Sequence, residues 1–569
     1  MKIQCREVPS EDALPAELHP LMRRILAARG VLAADELELS ARRMLGFDAL
    51  SGIAQAVALL ARAVREDERI IIVGDFDADG ATASALAVLG LTAMGASDVR
   101  YIVPNRFEYG YGLTPEIVAL AAEQQPRLLV TVDNGISSIE GVSAARARGM
   151  QVLITDHHLP GEALPAADAI VNPNLRGDGF PSKNLAGVGV MFYVLLALRA
   201  HLRESGWFGD GRAEPNMAEY LDLVALGTVA DVVPLDRNNR ILVAQGLHRI
   251  RSGRCRPGIT ALLNVAGRSP RTVRSADLGF YVAPRLNAAG RLTDMGIGIE
   301  CLLSGDASQC RDHARRLHQL NVERRAIEKK MQTQAGAIVE ALPALEAGGG
   351  AGICLFDDRW HQGVIGILAS RIKDQMRCPV VAFAPADDGA LKGSARSIEG
   401  VHIRDVLAAI ATEHPRVLQR FGGHAMAAGL SLARENLDAF RAAFNAEIGR
   451  HLDDTVREQV YLTDGVLAEP DFNLPLARAV CGGFPWGQAF PEPLFEGEFD
   501  VESQRVVGDA HLKLRLRIGG VRVDAIAFNA SPEHLDGDLR RIHTVYRLDV
   551  NEFRGVESLQ LRIECMEAA

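Results

Sequence analysis

Between residues 69 and 171 short apolar runs alternate with helix-like stretches, and few folds accept that alternation. The runs RIIIVG (69–74), VRYIV (99–103), RLLVTV (127–132), QVLIT (151–155) and DAIV (168–171) read as buried strands. Residues 81–95, 114–124 and 137–149 between them read as helices. The pattern predicts an α/β fold whose parallel sheet is covered on both faces. Ligands of such sheets bind beyond the carboxyl ends of the strands. At those ends stand DFDADG (75–80), Asp133 in DNG, and Asp156, His157 and His158 in ITDHH. Polar chemistry therefore collects at one edge of an otherwise apolar layer.

A chain of 569 residues holds more than one domain. The segments 185–202 and 217–235 are apolar and helix-like. Residues 307–342 form a run of helix formers that would extend roughly 50 Å at about 1.5 Å per residue, a strut between two lobes. Residues 351–445 read as a smaller α/β unit, and short strands follow from about 461. In HLKLRLRIGG (511–520) strict alternation places Lys513, Arg515 and Arg517 on one face and leucines on the other. The net charge of −10 argues against a generally nucleic-acid-coated surface, so a polyanion must be held by a local basic groove or by metal ions. The eight cysteines show no Cys-x-x-Cys pair, which argues against a disulfide framework or a zinc site. The first residues lack a signal-peptide pattern, and a cytoplasmic protein without membrane contact is expected.

Asp75, Asp77 and Asp79 alternate, and on an extended segment they would share one face. Three carboxylates there repel one another unless cations neutralise them. An isolated Asp-x-Asp is an ordinary acidic turn, but Asp133 stands in the equivalent place after another strand. His157 adds nitrogen, and Asp231 in GTVADVVPL adds a further carboxylate. Oxygen and nitrogen donors without cysteine suit Mn²⁺ or Mg²⁺. So many carboxylates exceed one ion's needs, which points to two ions about 4 Å apart.

The motifs DFDADG, VTVDNGIS, ITDHH and GTVADVVPL resemble the ordered motifs of the DHH phosphoesterases. With PRLNAAGR (284–291), GSARS (393–397) and RFGGHAMAAG (420–429), the resemblance narrows to the RecJ group of single-strand-specific 5′→3′ DNA exonucleases. It implies a parallel-sheet DHH lobe, a long connecting helix, a smaller α/β DHHA1 lobe and a C-terminal β-rich OB-like domain. The expected spans are an N-terminal segment 1–50, DHH 51–306, helix 307–345, DHHA1 346–455 and the OB-like domain 461–569. It also implies that Asp75, Asp77, Asp133, His157 and Asp231 bind two Mn²⁺ or Mg²⁺ ions, with Asp133 as the bridge. His158 faces the scissile phosphate in this scheme. Asp156 orients a histidine or the turn, and Asp79 is a further ligand or a supporting acid.

The resemblance extends to the substrate. Ser394, Arg396 and Arg291 would clamp a terminal 5′-phosphate across a cleft, the GSARS and GGHAMAAG loops offering backbone N–H groups. Asn287, Gly422, Gly423 and His424, from the same motifs, would bind the substrate with them. Arg106, with Phe107, Tyr109 and Tyr111, would line the strand's path or, for the aromatics, serve the core. Lys513, Arg515 and Arg517 would track a phosphate backbone or form a solvated face. The implied protein is a monomer that releases 5′-mononucleotides in recombination and in repair, mismatch repair included. It would meet single-stranded-DNA-binding protein and a repair helicase. Two rival readings are a DHH phosphodiesterase acting on oligoribonucleotides or cyclic dinucleotides, and a non-catalytic DNA-binding scaffold. The third domain argues against the first rival, and the complete carboxylate–histidine set argues against the second.

Overall fold

The computed structural model describes residues 2–105, 109, 112–209, 211–341, 352–386, 389–451, 460–508 and 510–569. Its contacts group Met1–His318 with Val460–Ala569 as one unit and Gln319–Gln459 as another.

The first unit opens with β1 (Lys2–Cys5) and continues into the expected α/β layer. Strands β2 (Ile70–Val73), β3 (Val99–Ile102), β4 (Leu128–Val132), β5 (Gln151–Thr155) and β6 (Ala169–Val171) form a sheet in the order β3-β2-β4-β5-β6. Every pairing in it is parallel. All residues of β2 and β4 are buried, which is why these runs are continuously apolar rather than alternating. The helices α1 (Ala78–Ala93), α2 (Gly187–Glu204), α3 (Leu221–Ala230) and α4 (Ala283–Leu292) also belong to this unit. The stretch 217–235 is not one helix. A 3₁₀ turn covers Met217–Tyr220, and α3 stops at Asp231 because Val232 takes a φ of 60°.

The 35-residue helix α5 (Ala307–Ala341) runs from the first unit into the second. The second unit contains β7 (Ile353–Phe356), helix α6 (Ile365–Met376), β8 (Val380–Pro385), β9 (Ala390–Arg396), β10 (Arg420–Gly423) and β11 (Ala427–Ala433). The sheet order is β10-β11-β9-β8-β7, and Phe383, Phe440 and Phe444 pack in its core.

The chain returns to the first unit at β12 (Val460–Thr463), which pairs in parallel with β1. A closed barrel follows, built from β13 (Phe495–Val507), β14 (His511–Ile518), β15 (Val521–Ala527), β16 (Arg541–Phe553) and β17 (Val556–Ala568). The barrel and the segment before it are tied to the helical part of the first unit. The Leu235 N–H donates to Gln488 O at 2.8 Å, Ser275 Oγ donates to Trp486 O at 2.6 Å, and Arg274 pairs with Asp549 at 2.8 Å. Among the described residues no single helix is long and apolar enough to cross a membrane. None of the eight cysteines is in a disulfide among the described residues.

Arg29 fastens the start of the chain to the segment after β12. Its guanidinium makes a two-pronged contact with Asp464, at 2.7 and 2.9 Å, and donates through Nε to Pro491 O. The two side chains are 1% and 2% exposed. A guanidinium so deeply buried depends on its partner. Asp464→Asn should therefore destabilise the first unit by about 3–5 kcal/mol. Thermal unfolding followed by calorimetry checks this, and a transition at the wild-type temperature would show that Arg29 finds another partner.

Candidate metal centre and active site

In the parallel sheet β2 leads to β3 on one side, whereas β3 leads back over to β4 on the other. The switch point therefore lies between the carboxyl ends of β2 and β4, where a crevice opens above the sheet. Asp75 follows β2 after one glycine, and Asp133 follows β4 directly. The DHH segment follows β5, the next strand across.

Asp75, Asp77 and Asp79 do not alternate along an extended segment. The strand ends at Val73, and α1 begins at Ala78 because Asp77 is its N-cap, accepting the Gly80 N–H at 3.0 Å. Asp79 lies in the first turn of α1, 1% exposed. Its two oxygens accept the Gly187 and Val188 N–H groups, at 2.6 and 3.0 Å, which open α2. A carboxylate there complements the positive end of that helix. Asp133 holds a left-handed φ of 63°, a conformation Asp tolerates better than most residues. The adjacent Asn134 amide donates to Val73 O and Val132 O, joining the ends of β2 and β4.

Asp156 is the buried anchor of the DHH segment. One oxygen accepts the His157 and His158 N–H groups at 2.7 and 3.1 Å and meets His158 Nδ1 at 2.8 Å. The other accepts the Ile136 N–H at 2.9 Å. The adjacent histidines diverge from this anchor. His157 Nε2 lies 3.1 Å from Asp133 Oδ1 and 3.4 Å from Asp231 Oδ2, whereas His158 is held through Nδ1. Their rings are 4.5 Å apart and tilted by 51°.

Three donor sets have their ligand atoms within 4.8 Å of one another: Asp75, Asp77 and Asp133; Asp79, His157 and Asp231; and Asp133, His157 and His158. The donors are carboxylate oxygen and imidazole nitrogen without thiolate, which suits hard divalent cations. The electrostatics agree. Burial, then the charges of Asp79, Asp77, Asp231 and Asp75, push the Asp133 carboxyl well above its usual range. Burial and the same neighbours do likewise to Asp231, against the pull of His158. Burial and Asp77 raise Asp79 to about 7, with the Val188 and Gly187 N–H groups opposing. Carboxylates crowded to this degree call for compensating positive charge. Burial works against charge on His158, but the hydrogen bond and charge of Asp156, with Asp231 and Asp75, outweigh it and raise the imidazole to about 9.

Glycines admit this crowding. A Cβ on Gly187 would meet the Asp133 side chain at 2.5 Å, one on Gly80 would meet Asp75 at 2.6 Å, and one on Gly227 would meet Thr82 Oγ1 at 2.3 Å and Asp79 Oδ1 at 2.7 Å. Helix α4, which carries PRLNAAGR, docks on the same loop. Asn287 Oδ1 accepts the Ala78 N–H at 2.7 Å, and a Cβ on Gly290 would lie 1.8 Å from Phe76 O. Asn287 thus positions the Asp75–Asp79 loop, a task its motif alone did not reveal. Arg291 follows on the same helix, half-buried.

The second unit alters the expected phosphate loops. GSARS is not a loop: Ser394 and Arg396 belong to β9, between β11 and β8, and the ladder takes its backbone groups. GGHAMAAG is the β10–β11 hairpin, with Gly422 opposite Gly429, Gly423 opposite Ala428 and the His424 N–H donating to Ala427 O. The side chains are what remain for a ligand. Arg396 Nη1 donates to Ser394 Oγ at 3.0 Å, and both side chains lie against Gly366 in the first turn of α6. That helix has no side-chain N-cap.

Two other expectations change. In the barrel Lys513 and Arg515 both pair with Asp524, and Arg517 pairs with Asp500 and Glu502. The stripe thus faces acids on the neighbouring strands. Arg106, Phe107 and Tyr111 lie outside the described residues, and Tyr109 packs partly buried against the core beside the sheet.

A parallel sheet bearing this carboxylate–histidine crevice at its switch point defines a DHH-type phosphoesterase domain. The model of the DHH family N-terminal domain matches residues 69–228, that of the DHHA1 domain 334–450, and that of the RecJ OB domain 463–565. A single-stranded-DNA-specific exonuclease RecJ of Dickeya dadantii is 54% identical over 98% of both chains. That of Escherichia coli K12 is 51% identical over 99% of this chain and 98% of its own. The crystal structure of RecJ in complex with Mn²⁺ from Thermus thermophilus superposes with a TM-score of 0.82 at 31% identity, covering 100% of this chain and 79% of that one. The chain belongs to the RecJ family.

The contact of Gly187 with Asp133 can be tested without any turnover. Gly187→Ala should displace that carboxylate and weaken divalent-cation binding by about ten- to a hundredfold. Calorimetric titration with Mn²⁺ measures it, and wild-type affinity would show that the cradle gives way at no cost.

Proposed function

We propose that this chain is a metal-dependent exonuclease that hydrolyses single-stranded DNA from the 5′ end to 5′-mononucleotides, serving recombination and repair. The observation that carries the reading is the meeting of Asp75, Asp77, Asp79, Asp133, His157 and Asp231 at the sheet's switch point, in a chain of this family. Two Mn²⁺ or Mg²⁺ ions held there would activate water and stabilise charge on the phosphate. Asp75, Asp77, Asp133, His157 and Asp231 would hold them, and Asp79, tied to the first N–H groups of α2, would ligate or support. Asp156 holds His158 through Nδ1, and the imidazole would donate a hydrogen bond to a phosphate oxygen as charge builds. Cations at the carboxylates would also draw the His158 pKa down again.

Ser394 and Arg396 are read as holders of a terminal 5′-phosphate, with Arg291 as a further cation for it. Two features support this. The Arg396 and Ser394 side chains lie against the first turn of α6, whose N-terminal N–H groups favour an anion. The guanidinium is also half-buried and braced by Ser394, so its fork is preset. On family resemblance alone the same reading makes the protein a cytoplasmic monomer that meets single-stranded-DNA-binding protein and a repair helicase.

End-labelled single-stranded and duplex DNA incubated with Mn²⁺, Mg²⁺ or EDTA tests the whole reading. Metal-dependent release of mononucleotides from the single strand is expected, and an intact strand in Mn²⁺ would overturn it. The histidines should separate. His157→Ala should lower Mn²⁺ affinity. His158→Ala should bind Mn²⁺ yet turn over on the order of 10²-fold more slowly. Equal loss of Mn²⁺ binding in both, read by calorimetry, would show the roles to be wrongly divided. At the 5′ end, a charge-assisted contact is worth about 1.5–3 kcal/mol. Arg396→Ala should therefore lose about ten- to a hundredfold in kcat/KM on 5′-phosphorylated DNA and much less on 5′-hydroxyl DNA. The same loss on both substrates would remove Arg396 from end recognition.

A further inference from the structure

Two exposed apolar side chains adjoin residues of the metal centre in sequence, and a third lies on a turn that leads into α4. Leu159 directly follows His158 and is 63% exposed, and Val232 directly follows Asp231 and is also 63% exposed. Phe280 is 79% exposed, the most open large apolar side chain among the described residues. It sits in a single π-helical turn, Leu278–Val282, which runs straight into α4, the helix that docks on the Asp75–Asp79 loop. The neighbouring Gly279 lies against Val229, two residues before Asp231. The turn thus joins two of the elements that frame the carboxylates.

Val232 carries a double penalty. A β-branched residue at a φ of 60° is strained, and its apolar surface faces water. Asn or Gly would relieve the strain at that place, so folding gives no reason for a valine. The π-turn points the same way, since such turns cluster at functional sites. Of its two aromatics, Tyr281 is already engaged, with the Arg268 guanidinium 3.7 Å from its ring centroid. The Phe280 ring makes no such contact among the described residues.

We propose that Phe280, with Val232 and Leu159, forms an apolar rim on which nucleobases next to the scissile phosphodiester stack. This rests on the nuclease reading above and adds to it the part that touches bases rather than phosphates. Aromatic faces accept any base, so the rim is indifferent to sequence, and it requires bases free of a complementary strand. Single-strand preference would then have a component in the catalytic lobe itself, separate from any exclusion of duplex by width.

A series of 5′-phosphorylated oligonucleotides, each with one abasic residue at a successive position, tests the proposal in Mn²⁺. Cleavage of the unmodified strand by the wild type checks the nuclease reading separately. At one position loss of the base should lower wild-type kcat/KM about tenfold, mainly through KM. Phe280→Ala should lose a similar factor on unmodified DNA and nothing further on that abasic strand. Phe280→Trp should restore the position dependence. Val232→Asn, which suits the left-handed backbone, should raise KM several-fold. If base removal and Phe280→Ala multiply at every position, no base rests on the ring and the proposal fails. It fails equally if Phe280→Ala matches the wild type throughout, as a protein-docking residue would.

Discussion

Mutual repulsion among buried carboxylates is the constraint around which the first unit is arranged. Asp75, Asp77, Asp79, Asp133 and Asp231 converge where a low dielectric amplifies every like-charge contact. No apolar packing favours such a cluster, so backbone groups and helix ends must hold it. Asp77 is fixed by capping α1 and Asp79 by the first N–H groups of α2, while Asp156 anchors the histidines through backbone N–H groups. Each of these acids thus has a structural hydrogen bond on one side and chemistry on the other. The same residues that would bind metal are the termini of the elements that position them.

Close approach is the second requirement, and it explains glycines at places that look ordinary in the sequence. Gly80, Gly187 and Gly227 let backbone lie where a methyl group would strike Asp75, Asp133 or Asp79, and Gly290 does the same for the carbonyl of Phe76. Shape and charge are settled by one set of contacts, so the centre forms with the fold rather than after it.

The strands of the catalytic lobe were legible because continuous apolar runs of four to five residues have few other uses in a chain with helical intervals. The donors were legible because they stand at strand ends. Period-two alternation misled at DFDADG, where a capping aspartate starts a helix within the motif. It also failed to warn that GSARS, rich in small residues, is the middle of a sheet. In the barrel it gave the face of Lys513, Arg515 and Arg517 correctly. It could not show Asp500 and Asp524 on the neighbouring strands, because alternation carries no information about register. Arg29 with Asp464, and Asn287 with Ala78, join residues far apart in the chain and left no local signature.

The parallel pairing of β1 with β12 bears on how the protein is made. Lys2 is synthesised before the whole second unit, and its partner Val460 only after it. The second unit is contiguous in sequence, an insertion between two parts of the first. Until Val460 is made, β1 is an unpaired edge, limited by being four residues long and mostly solvent-facing, with a lysine at its head. A chain ended before residue 460 would hold the carboxylates of the metal centre yet lack β12 and the barrel, leaving β1 an unpaired edge.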